Sequence, residues 1–173
     1  MEKILTQPPI SAALLIWELL ETIPDPEIPV LSIVDLGIIR DVVIEEEAAS
    51  KADVKGVVIF TPTYTGCPAM DMITMQIRIL LLENGYKQMR VKQVLSPAWS
   101  TDSMTESGKE KLKAYGIAPP HLSNIDHPEK YLPACPQCQS PHTRLISEFG
   151  STACKALYQC EECKEPFDFF KCH

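Results

Sequence analysis

Four cysteines in two C-x-x-C pairs constrain the fold of this chain more than any other feature. The pairs are Cys135-Pro-Gln-Cys138 and Cys160-Glu-Glu-Cys163. Each short turn directs two sulfurs at one point, and two such turns on facing hairpins complete a tetrahedron of thiolates. Residues 135–173 are too few to bury a stable core, so a bound ion would supply the missing folding free energy. We therefore predict a four-Cys metal ribbon, with structural zinc favoured over iron or an iron–sulfur cluster.

The other three cysteines are Cys67, Cys154 and Cys172, which bring the total to seven. Disulfides are rare in the cytosol, so an odd number of thiols favours metal binding or reactive cysteines. Cys154 and Cys172 lie in the tail, where they would form a second metal or cluster site together with His142 or His173. The alternative is that Cys154 is a small buried side chain and Cys172 a terminal thiol.

The charge of the chain excludes several classes of partner. Its 173 residues include 16 Lys and Arg against 23 Asp and Glu, a net charge of −7. This balance argues against nucleic-acid binding through bulk charge and against docking on an anionic membrane. The apolar stretch Ser11–Leu20 contains Glu18 and is too short to span a bilayer. No signal-peptide pattern is present, so we expect a cytoplasmic protein.

The pattern before the cysteine-rich tail predicts an α-β-β-α-β-α order. Residues 1–117 should therefore form a small two-layer α/β domain, 118–134 a Pro-rich linker and 135–173 the ribbon, which makes the fold class α+β. Helical spacing, strand composition and turn residues place the elements as follows: a helix over Ser11–Ile23 capped by Ser11, antiparallel strands Ile38–Glu46 and Ala52–Phe60, a helix from Pro68 to Asn84, a strand over Gln88–Leu95, and a helix begun by a capping box at Ser103 and Glu106 and ended at Gly116.

Cys67 stands between a predicted strand and a predicted helix, in the sequence Thr61-Pro-Thr-Tyr-Thr-Gly-Cys-Pro68. This position makes it a candidate N-cap residue. The unpaired N–H groups and dipole of a helix N-terminus favour a thiolate, so we expect its pKa to lie below the free value of about 8.5. A thiolate binds metals and attacks electrophiles. The alternative is that Cys67 only packs beneath the loop.

Three acids precede the strands: Asp25 and Glu27 in a proline-rich stretch, and Asp35 after it. Carboxylates beside a thiol are able to ligate iron, but such acids more often cap turns and helix starts. No P-loop, dinucleotide, nucleophile-elbow or zinc-protease motif is present, so no standard enzyme class is supported. A thiol–disulfide or metallo-enzyme built on Cys67 would need a resolving cysteine or a base, and its local sequence offers neither.

The first part of the chain contains five separated motifs: Asp25-Pro-Glu-Ile-Pro-Val30, Val34-Asp-Leu-Gly-Ile38, Thr61-Pro-Thr-Tyr-Thr-Gly-Cys-Pro68, Trp99 and Thr105-Glu106. Together they resemble the MIP18 family, also called the domain of unknown function 59 family. They cover about residues 10–117. Members of this family assist iron–sulfur cluster assembly or delivery and adopt a small α/β fold. The resemblance implies that Cys67 is the reactive cysteine and that Asp25, Glu27 and Asp35 are the family's acids.

The tail sequences Phe149-Gly-Ser-Thr-Ala-Cys154 and Phe167-Asp-Phe-Phe-Lys-Cys-His173 narrow this resemblance. They are similar to family members that accompany the multicomponent phenylacetyl-CoA epoxidase of aerobic phenylacetate catabolism. The resemblance implies a non-catalytic accessory protein with structural zinc and transiently held iron or iron–sulfur cluster. Its partners would be the [2Fe–2S] reductase, the diiron oxygenase subunits or both. A homodimer is a further alternative. The alternative is a structural or docking subunit of that complex with zinc alone.

Overall fold

The computed structural model describes residues 11–120 and 132–171. Its first sheet has the order β1-β2-β3, with β1 at Ile39–Glu46, β2 at Lys55–Phe60 and β3 at Gln88–Gln93. Strands β1 and β2 pair antiparallel, as predicted, whereas β3 runs parallel to β2. A parallel neighbour needs a crossover, and helix α2 at Ala69–Glu83 supplies it. The α+β fold class is confirmed.

Helices α1 and α2 bury one apolar stripe each. Helix α1 spans Ala12–Leu20, and the Ser11 hydroxyl accepts a hydrogen bond from the Leu14 amide, so Ser11 caps it as predicted. Helix α2 buries Ile73, Ile77 and Leu81, which recur at the four-residue spacing of a helix face. Among the helices of the described residues, none has both the length and the apolar character that crossing a bilayer requires.

Helix α3, at Glu106–Tyr115, begins at a different cap from the one predicted. The Thr105 hydroxyl accepts a hydrogen bond from the Gly108 amide, so Thr105 is the N-cap. The predicted capping box at Ser103 is wrong, because Ser103 lies in a preceding 3-10 turn. The helix ends as predicted at Gly116, whose left-handed backbone, with φ of 90°, suits glycine.

The second sheet contains the ribbon and one short strand from the preceding domain. Its order is β4-β7-β6-β5, with β4 at Ile117–Ala118, β5 at Thr143–Ser147, β6 at Lys155–Cys160 and β7 at Pro166–Phe170. Strand β4 pairs parallel with β7. The first residue of the predicted linker therefore belongs to the ribbon's sheet, while residues 121–131 lie outside the described residues.

The two modules also share apolar contacts. Phe170 and Cys154, from the ribbon, are buried in the core of the α/β domain. The rings of Phe170 and Trp99 meet edge to face with their centroids 6.0 Å apart. The ribbon keeps a small core of its own, which includes Tyr158 and Phe167. The ribbon is thus docked on the α/β domain, and not merely tethered to it.

Candidate functional site

The four cysteines of the two C-x-x-C turns form one cluster. Their sulfur atoms all lie within 4.8 Å of one another. The Sγ atoms of Cys135 and Cys163 are 3.7 Å apart, and those of Cys138 and Cys160 are 3.5 Å apart. A tetrahedron with Zn–S bonds of about 2.3 Å has edges of about 3.8 Å. The predicted four-Cys group is therefore preformed at the dimensions of a zinc site.

The backbone of the second C-x-x-C turn is arranged to hold a thiolate. The Cys163 amide approaches Cys160 Sγ at 3.5 Å. Desolvation opposes ionisation of Cys160, but the Cys163 and Glu162 amides prevail and lower the pKa of Cys160 to about 6. Thiolate is the form that binds the metal. In the same turn the Glu165 backbone acts to lower the pKa of Cys163, but desolvation and the neighbouring thiols raise this pKa to about 12. Without a metal, the turn therefore favours a thiolate at Cys160 alone, and a zinc ion would have to displace the proton of Cys163.

Asp25 shapes the loop that carries Glu27. Its Oδ1 atom accepts hydrogen bonds from the Glu27 amide at 2.9 Å and the Ile28 amide at 2.8 Å. Asp25 is buried, and this burial raises the pKa of its carboxyl group although both amides oppose the shift. The Asp25 carboxylate therefore fixes a tight turn, and the half-buried Glu27 side chain is the acid that this turn presents.

Asp35 has structural partners of its own. Its carboxylate accepts hydrogen bonds from Ser32 and Thr105 and pairs with Lys111 at 2.5 Å. Burial acts to raise the pKa of Asp35, but the bonds from Lys111 and Ser32 lower it below its usual value. Asp35 thus ties the segment before β1 to the start of α3. Its role as an iron ligand stays a prediction.

Cys67 lies beneath the loop between β2 and α2. The helix is capped at Pro68, so the prediction that Cys67 is the N-cap is wrong. The Cys67 side chain is buried, with 8% of its surface exposed. The Tyr64 hydroxyl and the Ala69 amide both donate hydrogen bonds to its sulfur. The preceding Gly66 has φ of 82°, which lets the chain turn sharply into this position.

The prediction of a lowered pKa for Cys67 is also wrong. Burial raises the pKa of this thiol, and the negative charges of Glu27 and Asp25 raise it further. The hydrogen bonds from Ala69 and Tyr64 oppose this shift without overcoming it. Because Cys67 precedes the N-cap, the helix N-terminus lowers the pKa of its thiol less than desolvation and the nearby carboxylates raise it. Cys67 is therefore a protonated thiol at neutral pH.

Cys154 reaches the same region from the ribbon. It donates a hydrogen bond to Glu27 Oε2 at 3.3 Å, and the Thr152 hydroxyl contacts its sulfur at 3.0 Å. Burial raises the pKa of Cys154 to about 12, and Glu27 adds to this shift. The predicted pairing of Cys154 with Cys172 stays a prediction, because Cys172 and His173 lie outside the described residues.

Tyr64 completes this second cluster, and sequence reasoning did not identify it as a site residue. Burial raises the pKa of Tyr64, and its hydrogen bond to Cys67 and the charges of Cys67, Glu27 and Cys154 add to this shift. Tyr64 packs against the core in which Cys67 and Cys154 are both buried. We call Cys67, Glu27, Cys154 and Tyr64 the composite cluster. No spacing in the sequence indicates it, because its members come from three separate segments.

Two family descriptions match separate parts of the chain. Residues 15–92 match a family described as iron–sulfur cluster assembly protein. Residues 121–171 match the family described as PaaD zinc beta ribbon domain. The first match lies within the α/β domain, and the second includes all four cysteines of the tetrahedral cluster. The tail is therefore a zinc ribbon with a four-Cys metal-binding group.

A curated relative and a solved structure extend the comparison. A protein of Escherichia coli strain K12, provisionally named as one of the subunits of 1,2-phenylacetyl-CoA epoxidase, is 51% identical over 159 residues, which is 91% of each chain. A crystal structure of a domain of unknown function DUF59 from Bacillus anthracis has a TM-score of 0.51 at 28% identity and covers 58% of this chain and 90% of its own. These likenesses, over both modules, show that this chain belongs to the PaaD family, whose members join a MIP18-type (DUF59) domain to a zinc β-ribbon.

Proposed function

We propose that the protein is an accessory factor that assembles or maintains iron–sulfur clusters or iron centres in a cytoplasmic multicomponent phenylacetyl-CoA epoxidase. The system is suggested by the 51% identical relative, whose name makes it part of such an epoxidase. The chemistry is suggested by the match of residues 15–92 to an iron–sulfur cluster assembly family. The protein itself would catalyse no step of the epoxidation.

The observation that carries this proposal is the environment of Cys67. A buried thiol with a hydrogen-bond donor on one side and carboxylates nearby is poorly suited to nucleophilic catalysis at neutral pH, because the proton is held. A thiophilic cation reverses this balance, since it replaces the proton and is attracted by the same carboxylates. Iron or a cluster would therefore be cargo that Cys67 holds transiently, while the ribbon zinc is structural.

The clients of this factor would be the [2Fe–2S] reductase and the diiron oxygenase subunits. The proposal is tested in a strain that lacks the gene and is complemented with Cys67→Ser. We expect the ribbon zinc and the fold to persist, while the iron and sulfide content of the purified clients falls severalfold. Thr65→Ala, at an exposed position of the same loop, is the matched control. Full iron content and normal growth on phenylacetate with Cys67→Ser would contradict the proposal.

A second candidate function is favoured by an exposed apolar row on α2. Met72, Met75, Ile79 and Leu82 are 47–63% exposed along one side of this helix. Exposed apolar surface of this kind commonly marks an interaction site. The name of the relative, which makes it one component of a complex, suggests that another epoxidase component would cover the row. In this reading the protein is a docking component that carries zinc alone.

The assembly function and the docking function predict different effects of changes in the α2 row and at Cys67 on binding to the epoxidase subunits. Met75→Glu should abolish co-purification with the epoxidase subunits if docking is the function, whereas Cys67→Ser should leave it unchanged. Asp71→Lys, a charge change at an exposed position of the same helix, is the control. If Met75→Glu leaves the co-purified subunits unchanged but alters self-association, the row is a homodimer contact and the docking reading fails.

A further inference from the structure

We propose that Cys154 of the zinc ribbon, together with Cys67 and Glu27 of the α/β domain, forms a shared site for a thiophilic divalent cation of the Fe²⁺ class. This inference rests on the proposed function and deepens it, because it makes the ribbon part of the cargo site. The ribbon would then do more than stabilise the chain through its own zinc. It would supply one of the two sulfur ligands of a second, exchangeable metal.

The first support is the contact between Cys154 and Glu27. These residues are far apart in the chain and belong to different modules, yet Cys154 Sγ lies 3.3 Å from Glu27 Oε2. Both the Asp25 turn that presents Glu27 and the apolar burial of Cys154 hold this pair in place. A thiol and a carboxylate at this distance offer adjacent sulfur and oxygen ligands.

The second support is Tyr64, which connects this pair to Cys67. The Tyr64 hydroxyl hydrogen-bonds to Cys67, and the charges of Glu27 and Cys154 both act on the pKa of Tyr64. Cys67 and Cys154 are also buried in the same hydrophobic core, and Tyr64 packs against this core. A cation that enters the composite cluster takes the place of the Tyr64 hydrogen bond and of the two thiol protons.

The charge around the cluster also favours a cation. Asp25 and Glu27 both act on Cys67, and all the potential ligands are anionic when deprotonated. The nearby positive group is Lys155, which is buried and lies 3.7 Å from Asp168, its partner in an ion pair. The positive charge of Lys155 lowers the pKa of Asp25 and of Cys154. The carboxylate of Asp168, which pairs with Lys155, partly neutralises this charge. An added divalent charge would be stabilised.

The ligand set suits transfer rather than storage. Two thiolates and one carboxylate leave a fourth position open, as in sites that exchange a ligand, whereas the ribbon closes its metal with four thiolates. Among the described residues, only the ribbon cysteines bring all their ligand atoms within 4.8 Å of one another. The composite cluster must therefore contract on binding, which weakens the site and makes the cation releasable.

The inference is tested by titrating the full chain, with zinc already in the ribbon, with Co²⁺ under anaerobic conditions. We expect the wild-type protein to bind one further equivalent with a thiolate-to-cobalt charge-transfer band, while the ribbon zinc content stays constant. Cys67→Ser and Cys154→Ser should each lower the intensity of this band per cobalt by about half and weaken binding at least about tenfold. Glu27→Gln keeps both thiols and should weaken binding with little loss of intensity per cobalt.

Cys172→Ser is the matched control, because it removes a tail thiol by the same substitution. Cys172→Ser should leave the cobalt titration unchanged. If this variant lost the charge-transfer band, the inference would be overturned in favour of a Cys154–Cys172 site. A full-strength signal in Cys154→Ser would also overturn it. Should that variant unfold, Glu27→Gln decides, and unchanged affinity there refutes the shared site. The proposed function is judged separately by client iron content: if Cys67→Ser restores the clients fully, that function fails even where cobalt binds as expected.

Discussion

The ribbon tetrahedron and the composite cluster both gather thiols, but they are built in opposite ways. The tetrahedron takes its four sulfurs from two short turns, and each turn brings two of them together through local geometry alone. The composite cluster takes Cys67 and Glu27 from two segments of the α/β domain, and Cys154 joins them only through the docked ribbon. The first therefore exists wherever the ribbon folds, whereas the second depends on the packing between the modules.

The largest expected effect comes from breaking the tetrahedron. Cys135→Ser or Cys160→Ser should abolish tight zinc binding and unfold the ribbon, because structural zinc sites contribute on the order of 10 kcal/mol to folding. The α/β domain should remain folded but less stable, since it loses Phe170 and Cys154 from its core. Zinc analysis and circular dichroism measure both outcomes. One tightly bound zinc per chain in either variant would contradict the four-Cys assignment.

The next effect comes from separating the modules while the tetrahedron stays intact. Phe170→Ala removes a ring that is 1% exposed and packs on Trp99, and we expect a loss of about 3–5 kcal/mol in the free energy of unfolding. The ribbon zinc should remain. Phe149→Ala, at a position 61% exposed, should cost less than about 1 kcal/mol in the same denaturation experiment. Equal losses of unfolding free energy in Phe170→Ala and Phe149→Ala would show that the core shared by the two modules does not stabilise the protein.

A smaller effect distinguishes a structural acid from a site acid. Asp35→Asn breaks the ion pair with Lys111 and should cost about 1–3 kcal/mol at neutral pH. Because the folded-state pKa of Asp35 is lowered below 3.8, its carboxylate stabilises the protein above about pH 4, and this contribution is lost as the pH falls through the folded value. In urea titrations, the difference in the free energy of unfolding between Asp35→Asn and the wild type should therefore become smaller below about pH 4. Glu27→Gln should change stability by less than about 0.5 kcal/mol.

The smallest effect concerns the reactivity of the composite cluster. With its pKa near 12, Cys154 should be alkylated slowly at pH 7, and its rate should rise about tenfold for each pH unit between 8 and 11. Cys67 should also react slowly, because its pKa is raised. Glu27→Gln removes a negative charge that raises the pKa of both thiols, so this variant should be alkylated severalfold faster at Cys67 and at Cys154. Mass spectrometry of the alkylated peptides measures each rate, and a plateau below pH 8 in the wild type would be incompatible with these shifts.

Local features of the fold were predictable because they depend on neighbouring residues. The C-x-x-C spacing predicted the tetrahedron, and composition predicted the β1–β2 pair. Helix starts were harder, since several polar residues competed: Thr105 caps α3 in place of Ser103, and Pro68 caps α2 in place of Cys67. A shift of one residue at the α2 start was enough to change the expected environment of the thiol.

The composite cluster was not predictable, because its electrostatics depend on tertiary contacts. The sequence places an acid at Glu27 and a thiol at Cys67, but it does not say that both are partly or wholly withdrawn from water. Desolvation is the largest influence on the pKa of Cys67, and it reverses the direction expected from the helix alone. Sequence reasoning also found no second thiol near Cys67, since Cys154 arrives with the ribbon.

The position of β7 between β4 and β6 couples the two modules thermodynamically. Strand β7 pairs with β6 of the ribbon on one side and with β4, directly after α3, on the other. A zinc ion that binds only the folded ribbon would stabilise every contact that needs this ribbon, including the pairing of β7 with Ile117–Ala118. Zinc in the tetrahedron would therefore also raise the stability of the end of the α/β domain, to which it is not bound.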